Sequence, residues 1–270
     1  MRAAGIQPLG RSWVEADLAC DILFSASPRI ARDAVEGVLA GIDVIVQGEA
    51  GRRRKLLVAD MDSTMIDVEC IDELSDYAGL KAEVSKVTER AMRGELEFED
   101  ALKQRVILLK GLDVSVIDKC HDERVGITPG ALPLVRTMRR NGAYCLMVSG
   151  GFSMFADRVA ATIGFDKAVS NSLDVKDGKI SGSVAHPIVG AEGKLAALTE
   201  AVALRGIELA DTLAVGDGAN DIPMIAAAGL GVAYHAKPRL AEIAAARIEH
   251  CDLTALLFAQ GYKRRDWAAD

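Results

Sequence analysis

The sequence LLVADMDST at residues 56–64 decides the fold class, because it joins a short apolar run to a cluster of polar residues. Such an uninterrupted apolar run is typical of a strand that a parallel sheet buries on both faces. Asp60 and Asp62 follow the run, and side chains two positions apart point the same way while the chain is extended. Two close carboxylates repel each other, so the pair predicts a compensating cation or a shared proton. The alternative is a turn in which one Asp caps the next helix.

Similar apolar runs recur along the chain and alternate with helical segments. The predicted strands after the first are 143–148, 167–170, 212–215 and 230–233, and the predicted helices are 131–140, 153–163, 194–204, 222–228 and 238–245. This alternation is typical of a parallel sheet covered by helices on both faces. We therefore predict a doubly wound, Rossmann-like α/β core, whose ligands bind at the carboxyl ends of the strands.

Two regions interrupt the alternation, and the N-terminus differs from both. Residues 67–125 are rich in charges and contain no convincing strand, which predicts a helical cap inserted after the first core strand. Asp177-Gly178, within 173–184, is typical of a β-hairpin turn. Residues 1–50 predict a small α+β segment, with strands near 17–24 and 42–47 around a helix at 28–41. The predicted domains are 1–50, a core of 51–66 with 126–270, and the cap.

Composition excludes several classes of protein. The chain has 270 residues, a net charge of −7 and 50% hydrophobic residues, an ordinary globular balance. An acidic chain is a poor nucleic-acid binder, and the basic run 52–55 is more simply the solvated start of a strand. No apolar run is long enough for a membrane helix or a signal peptide. Five scattered cysteines without a CxxC pair favour free thiols, so we expect a cytoplasmic protein without membrane or nucleic-acid partners.

Two further motifs follow predicted strands. In MVSGGF, residues 147–152, the Ser149 hydroxyl and the glycine amides could bind an anion, although an ordinary turn has the same composition. In VGDGAND, residues 215–221, Asp217 and Asp221 add carboxylates to those of the first motif. A dense acidic turn is the alternative there. Lys194 begins a predicted helix and would by itself be a solvated surface residue, but an anion among four carboxylates needs a nearby cation.

The order of DMDST, VSGG, Lys194 and GDGAND resembles the haloacid dehalogenase superfamily of phosphotransferases, over residues 56–255. Within that superfamily, Asp62 points to a phosphatase with its own acid/base. The cap sequence GELEFEDALKQRV is similar to that of the phosphoserine phosphatase family. The resemblance therefore implies hydrolysis of a small-molecule substrate, O-phospho-L-serine, to L-serine and phosphate with Mg²⁺, the last step of serine biosynthesis.

The resemblance also implies a role for each matching residue. Asp60 would be the nucleophile that forms an aspartyl-phosphate, and Asp62 the general acid/base. Mg²⁺ would be bound by the Asp60 carboxylate, the Asp62 backbone carbonyl and Asp217, while Asp221 would position Lys194. The implied substrate-binding residues are Ser149, Gly150, Lys194 and Asn220 near the phosphate and, in the cap, Glu69 for the ammonium, Arg105 for the carboxylate, and Met92 and Phe98 as apolar walls.

Three questions stay open at this point. Arg105, considered alone, is more simply a helix-surface charge near Glu97 or Glu99. The N-terminal segment is about half the length of the regulatory modules that some members of the family carry, so we expect it to pack on the core or to form a homodimer. The rival functions are a phosphatase for another small metabolite, and an amino-acid sensor or scaffold with a decayed site.

Overall fold

The computed structural model of the protein describes residues 5–92 and 95–268, with the backbone alone for Ala91 and Met92. The helices and strands follow in chain order: β1 (Pro8–Glu15), β2 (Ala19–Phe24), α1 (Pro28–Val35), β3 (Leu56–Ala59), α2 (Cys70–Tyr77), α3 (Lys81–Met92), α4 (Phe98–Leu108), α5 (Ser115–Arg124), α6 (Ala131–Arg140), β4 (Tyr144–Phe152), α7 (Ser153–Ile163), β5 (Lys167–Asn171), β6 (Leu173–Lys176), β7 (Lys179–Val184), α8 (Ala191–Arg205), β8 (Thr212–Gly216), α9 (Ile222–Ala227), β9 (Leu230–Tyr234), α10 (Pro238–Ile243), β10 (Ala246–Ile248) and α11 (Ala255–Ala259).

A six-stranded parallel sheet forms the centre, in the order β10-β9-β8-β3-β4-β5. Strand β3 lies in the middle, and Leu57 pairs with Cys145 of β4 on one side and Leu213 of β8 on the other. All four residues of β3 are buried, because helices cover both faces of the sheet. The predicted doubly wound α/β core is therefore confirmed. Strand β10 was not predicted, since three residues with Arg247 at their centre give no recognisable pattern.

Helices α2–α5, in the predicted helical cap, lie between β3 and β4 in the sequence. The chain leaves and re-enters the core through an antiparallel bridge between Ile66 and Ile127. Beside the bridge, the Asp67 amide donates to the Gly126 carbonyl oxygen at 3.1 Å, and the Gly126 amide donates to Asp67 Oδ1 at 3.0 Å. The helices share one apolar cluster with the sheet, to which Leu74 and Leu102 belong. The carboxyl end of β3 therefore meets the cap directly. The division into three domains stays a prediction.

The predicted hairpin is confirmed as the antiparallel pair β6–β7. Asp177 and Gly178 form its turn, and both have positive φ, 53° and 73°. Two consecutive residues in this region are typical of the tight turn that matches the twist of a hairpin.

The N-terminal segment differs from the prediction in three places. Strand β1 was missed, because most of its side chains are exposed and the strand forms through backbone pairing with β2 rather than through an apolar pattern. Helix α1 begins at Pro28 as predicted but ends at Val35, and Gly37 then takes a φ of 70°. Residues 42–47 form no strand, since this apolar run has no partner strand in the described part of the chain.

Polar contacts hold the N-terminal segment against the core near β10. Arg32 donates to the Ala244 carbonyl oxygen at 2.6 Å, and Glu36 accepts from Arg247 at 3.0 Å. The Asp43 carboxylate accepts from the backbone amides of residues 249–251. These contacts fit the expectation that so small a segment packs on the main domain.

Candidate functional site

Asp60 stands directly after β3, at the carboxyl end of that strand. Its amide donates to the Val215 carbonyl oxygen of β8 at 3.0 Å, which continues the sheet pairing to the residue itself. Its Oδ1 accepts from the Met61 amide at 2.7 Å and lies 2.6 Å from Lys194 Nζ. Burial and the charge of Asp221 raise the pKa of Asp60 well above its ordinary value, while Lys194 acts in the opposite direction. An ionised Asp60 therefore depends on nearby positive charge.

Lys194 is fully buried in the first turn of α8, so the interpretation as a solvated surface residue is wrong. Its ammonium lies between two carboxylates, 2.6 Å from Asp60 and 2.7 Å from Asp221. Burial alone would lower the pKa of Lys194, yet the charges of Asp221 and Asp60 raise it above its ordinary value. The lysine is therefore a fixed positive charge at the base of the site.

Asp62 is oriented by one contact from the cap and one from the core. Its Oδ1 accepts at 2.8 Å from the amide of Cys70, the first residue of α2. Asp62 therefore also caps the next helix, as the alternative interpretation of the motif expected. Its Oδ2 accepts from the Ser149 hydroxyl at 3.3 Å. Burial, followed by the charge of Glu69, raises the pKa of Asp62 to about 6. A carboxyl group with such a pKa can both give and take a proton near neutral pH.

Ser149 and Gly150 lie in the second half of β4. The Ser149 hydroxyl is buried and also accepts from the Gly151 amide at 2.8 Å. Phe98, the first residue of α4, lies over Gly150, where an added Cβ would stand 2.9 Å from the phenyl Cζ. The same ring covers Gly190, at 3.1 Å from the equivalent position. The cap therefore reaches the core through Phe98, onto two glycine segments where a larger residue would crowd the ring.

Asp217 and Asp221 follow β8 and bring two more acids to the same edge. Asp221 is fully buried, with Oδ1 on Lys194 and Oδ2 accepting from the Gly218 amide at 3.0 Å. An added Cβ at Gly216 would lie 2.5 Å from Asp221 Cγ, so glycine is required there. Asn220 is partly buried beside them. These contacts bring together the predicted core residues Asp60, Asp62, Ser149, Lys194, Asp217 and Asp221.

One carboxylate oxygen from each of Asp60, Asp217 and Asp221 lies within 4.8 Å of the other two, so the three residues could hold a metal ion. The donor set suits a hard divalent cation, because all three donors are carboxylate oxygens. Burial raises the pKa of both Asp60 and Asp217, so their ionised forms are less favoured than in water and would be stabilised by a bound cation. Asp221 uses both of its oxygens in the contacts above, whereas Asp60 uses only Oδ1 there. Asp217 contacts Lys237 through Oδ2, so its Oδ1 is not used in that contact. The residues therefore fit a metal ion held chiefly by Asp60 and Asp217.

The cap contributes charges of both signs to the mouth of the site. Glu69, which precedes α2, accepts from the Ser63 hydroxyl at 2.8 Å. Arg105 of α4 is partly buried, and its Nε donates to the Ala101 carbonyl oxygen at 3.3 Å. Burial lowers the pKa of Arg105, and the charges of Asp72, Glu69 and Asp62 act against that.

Arg105 does not pair with Glu97 or Glu99 within the described residues, since Glu99 pairs with Lys103 instead. Arg105 is instead partly buried, and the charges that act on it are those of Asp72, Glu69 and Asp62. Met92, the other predicted wall of the cap, has a side chain outside the described residues.

Sequence reasoning missed two polar residues at this site. Asn171, 2% exposed at the end of β5, donates to the Gly150 carbonyl oxygen at 2.9 Å and accepts from the Val189 amide at 2.7 Å. It thus ties the Gly150 segment to the residues before α8. Lys237 lies 3.3 Å from Asp217 Oδ2. Its sequence, a lysine before Pro238, predicts only a helix start.

Comparison with known proteins gives a consistent result. The sequence model of the haloacid dehalogenase-like hydrolases matches residues 57–226. The chain is 43% identical over 235 residues to a phosphoserine phosphatase of Streptomyces coelicolor, covering 86% of this chain and 57% of that one. It is 45% identical over 208 residues to a phosphoserine phosphatase of a Polaromonas species, covering 75% and 88%.

A solved structure described as a phospho-aspartyl intermediate analogue of phosphoserine phosphatase superposes with a TM-score of 0.71. It is 41% identical in sequence, and the match covers 76% of this chain and 98% of that one. The chain spans little more than half the length of the Streptomyces protein, whereas it spans most of the Polaromonas one.

Proposed function

The chain belongs to the haloacid dehalogenase-like hydrolase family, and from that premise we propose that it is a Mg²⁺-dependent phosphoserine phosphatase. The observation that carries the proposal is the pair of opposite charges, Glu69 and Arg105, that the cap brings to the acidic edge of the sheet. Phosphoserine carries an ammonium and a carboxylate at the end away from its phosphate, so the pair complements it. The relatives named phosphoserine phosphatase support the same substrate.

The proposed reaction begins at Asp60. Its carboxylate oxygen attacks phosphorus, the bond between phosphorus and the serine oxygen breaks, and Asp62 gives its proton to that leaving oxygen. Asp62 then takes a proton from a water molecule, which attacks phosphorus and frees both phosphate and Asp60. A pKa of about 6 suits Asp62 to both proton transfers.

The remaining residues position the phosphoryl group and neutralise its charge. Lys194, the Ser149 hydroxyl and the Gly150 segment would hold its oxygens, with Asn220 beside them. Asp221 would hold Lys194 in place, which its 2.7 Å contact supports. Asp60, Asp217 and the Asp62 backbone carbonyl would hold Mg²⁺, which supplies positive charge to the phosphoryl oxygens when bound.

Two rivals predict different behaviour. A phosphatase for another metabolite would hydrolyse phosphoserine no better than an ester without a carboxylate. A sensor or scaffold with a decayed site would hydrolyse neither. The complete set of Asp60, Asp62, Ser149, Lys194 and Asp217, joined by the contacts above, argues against decay.

Arg105→Ala tests the assignment of the substrate. The substrate carboxylate would lose its partner in a closed site, so kcat/KM for phosphoserine should fall by roughly 30-fold or more. With p-nitrophenyl phosphate, which has no carboxylate, the loss should be much smaller. Lys103→Ala is a matched control, because Lys103 lies on the same helix and pairs with Glu99 at the surface. Equal losses for both substrates in Arg105→Ala would remove the main support for phosphoserine.

We also propose a cytoplasmic homodimer. None of the described helices has the length and apolar character to cross a membrane, and all five cysteines are free thiols, which fits a reducing compartment. The N-terminal hairpin leaves Leu9, Trp13 and Leu18 exposed, a surface that a second copy could cover. Light scattering at micromolar concentration should give twice the chain mass. A monomer at every concentration would contradict the dimer.

A further inference from the structure

A second lysine stands at the mouth of the site and has no role in the proposed reaction. Lys237 precedes α10, and its ammonium lies 3.3 Å from Oδ2 of Asp217. Its own amide donates to the Asp217 carbonyl oxygen at 2.9 Å. The backbone bond holds the two residues side by side whatever the lysine side chain does.

Lys237 and Lys194 differ in their freedom to move. Lys194 is 0% exposed and contacts two buried carboxylates, so its displacement would leave both carboxylates without a cation. The Lys237 side chain is 56% exposed and contacts one carboxylate. A long, half-exposed side chain can turn its ammonium into water at little cost. Lys237 is therefore the cation of this site that can be displaced.

The charges around Lys237 are mostly negative. Burial alone would lower the pKa of its ammonium, yet the charges of Asp217, Glu69 and Asp60 raise it. Asp217 and Asp60 belong, with Asp221, to the group of carboxylates that could hold a metal ion. The lysine therefore neutralises part of the charge that would attract a divalent cation to the same place.

We propose that Lys237 is a displaceable counter-ion of Asp217 that competes with the metal ion and so weakens its binding. Without metal, the ammonium compensates Asp217 and limits repulsion among the clustered carboxylates. With metal, two positive charges face one carboxylate, and the lysine turns toward solvent or stays at an electrostatic cost. The inference rests on the proposed function only for the metal site, because the identity of the substrate does not enter it.

Titration calorimetry of Mg²⁺ into the metal-free protein tests this without any catalysis. Lys237→Met keeps much of the side-chain length and removes the charge, so the Kd for Mg²⁺ should fall roughly three- to tenfold. Lys237→Arg keeps the charge, so its Kd for Mg²⁺ should stay within about twofold of that of the unmodified protein. Lys55→Met is the matched control. Lys55 is 62% exposed and forms an ion pair with Asp211, with 2.9 Å between the two charged atoms, and this pair is not part of the site. Lys55→Met should leave the Kd unchanged.

The direction of the change separates the proposal from a structural effect. Damage to the loop, or loss of a lysine that merely orients Asp217, would weaken Mg²⁺ binding. A Kd for Mg²⁺ that is higher or unchanged in Lys237→Met would overturn the proposal. The same holds if the Kd falls as much in Lys237→Arg as in Lys237→Met. If the unmodified protein binds no Mg²⁺, the metal site itself is wrong and this inference fails with it. Phosphoserine hydrolysis, measured separately, would then still report on the substrate.

Discussion

Lys194 Nζ lies 2.6 Å from Asp60 Oδ1, and neither side chain has appreciable contact with solvent. This ion pair joins the first turn of α8 to the end of the central strand β3. A carboxylate is usually ionised at pH 7 without help, but burial and Asp221 act against ionisation of Asp60. The pair with Lys194 therefore explains how a buried aspartate can be available as a nucleophile.

Lys194→Met should strongly destabilise the protein. The change leaves Asp60 and Asp221 buried without their cation, and breaking a buried pair in this way costs about 3–5 kcal/mol. The measurement is the free energy of unfolding from urea denaturation at pH 7.5, with a chelator to exclude metal. Lys55→Met, which removes an exposed pair with Asp211, should cost under about 1 kcal/mol. Similar costs for the two variants would show that the buried pair has no special role in stability.

Asp62→Asn should stabilise the metal-free protein at pH 8. The pKa of Asp62 is raised to about 6 in the folded state, so between roughly pH 4 and 6 the folded state binds more protons there than the unfolded state. The contribution of this group to stability therefore falls as the pH rises through that window. Asn does not ionise, so the variant does not lose stability in this way. At pH 8 its free energy of unfolding should exceed that of the unmodified protein by up to about 3 kcal/mol.

The pH series itself is the check on Asp62. Urea denaturation of both proteins at pH 4, 5, 6, 7 and 8 should give a difference that grows with pH and levels off above about pH 7. A constant difference, or one that shrinks as the pH rises, would mean that the pKa of Asp62 is not raised in the folded protein.

Asn171→Ala should impair both stability and turnover. The change leaves the Val189 amide and the Gly150 carbonyl oxygen, which are partly buried, without their side-chain partner, which costs about 2–4 kcal/mol. It also frees the Gly150 segment from the residues before α8, and a small misplacement of positioning groups can lower kcat/KM by about 10- to 100-fold.

Asn141→Ala is the matched control for Asn171. Asn141 also donates to a backbone carbonyl oxygen, that of Thr137 at 2.8 Å, but at the exposed end of α6. Its replacement should leave kcat/KM unchanged. The measurements are denaturation curves and phosphoserine kinetics for the two variants. Normal turnover in Asn171→Ala would show that Asn171 has no role in positioning the site.

The core and its motifs could be predicted because their signals are local. The run at β3 is apolar at every position, and Asp60 and Asp62 follow it directly. Parallel strands then place the ends of β4 and β8 beside it, so Ser149 and Asp217 are brought to the same edge by topology alone.

The missed features depend on contacts between distant segments. The burial of Lys194 arises from three segments, those of α8, β3 and the turn after β8, and the sequence around it resembles an ordinary helix start. Asn171 stands in the polar sequence SNS, which is typical of a turn, and its role appears only when Gly150 and Val189 are placed beside it. Lys237 acquires its partner only through the loop after β9.

The most direct test of the central claim compares three phosphate monoesters in the unmodified protein with Mg²⁺. O-Phospho-L-serine carries both charges, phosphoethanolamine lacks the carboxylate that Arg105 would hold, and the phosphate ester of 3-hydroxypropanoate lacks the ammonium that Glu69 would hold. We predict the highest kcat/KM for phosphoserine, with each of the other esters lower by roughly 30-fold or more, since an unpaired charge in a closed site costs at least about 2 kcal/mol. Equal values for the three esters, or no hydrolysis of phosphoserine, would contradict the account.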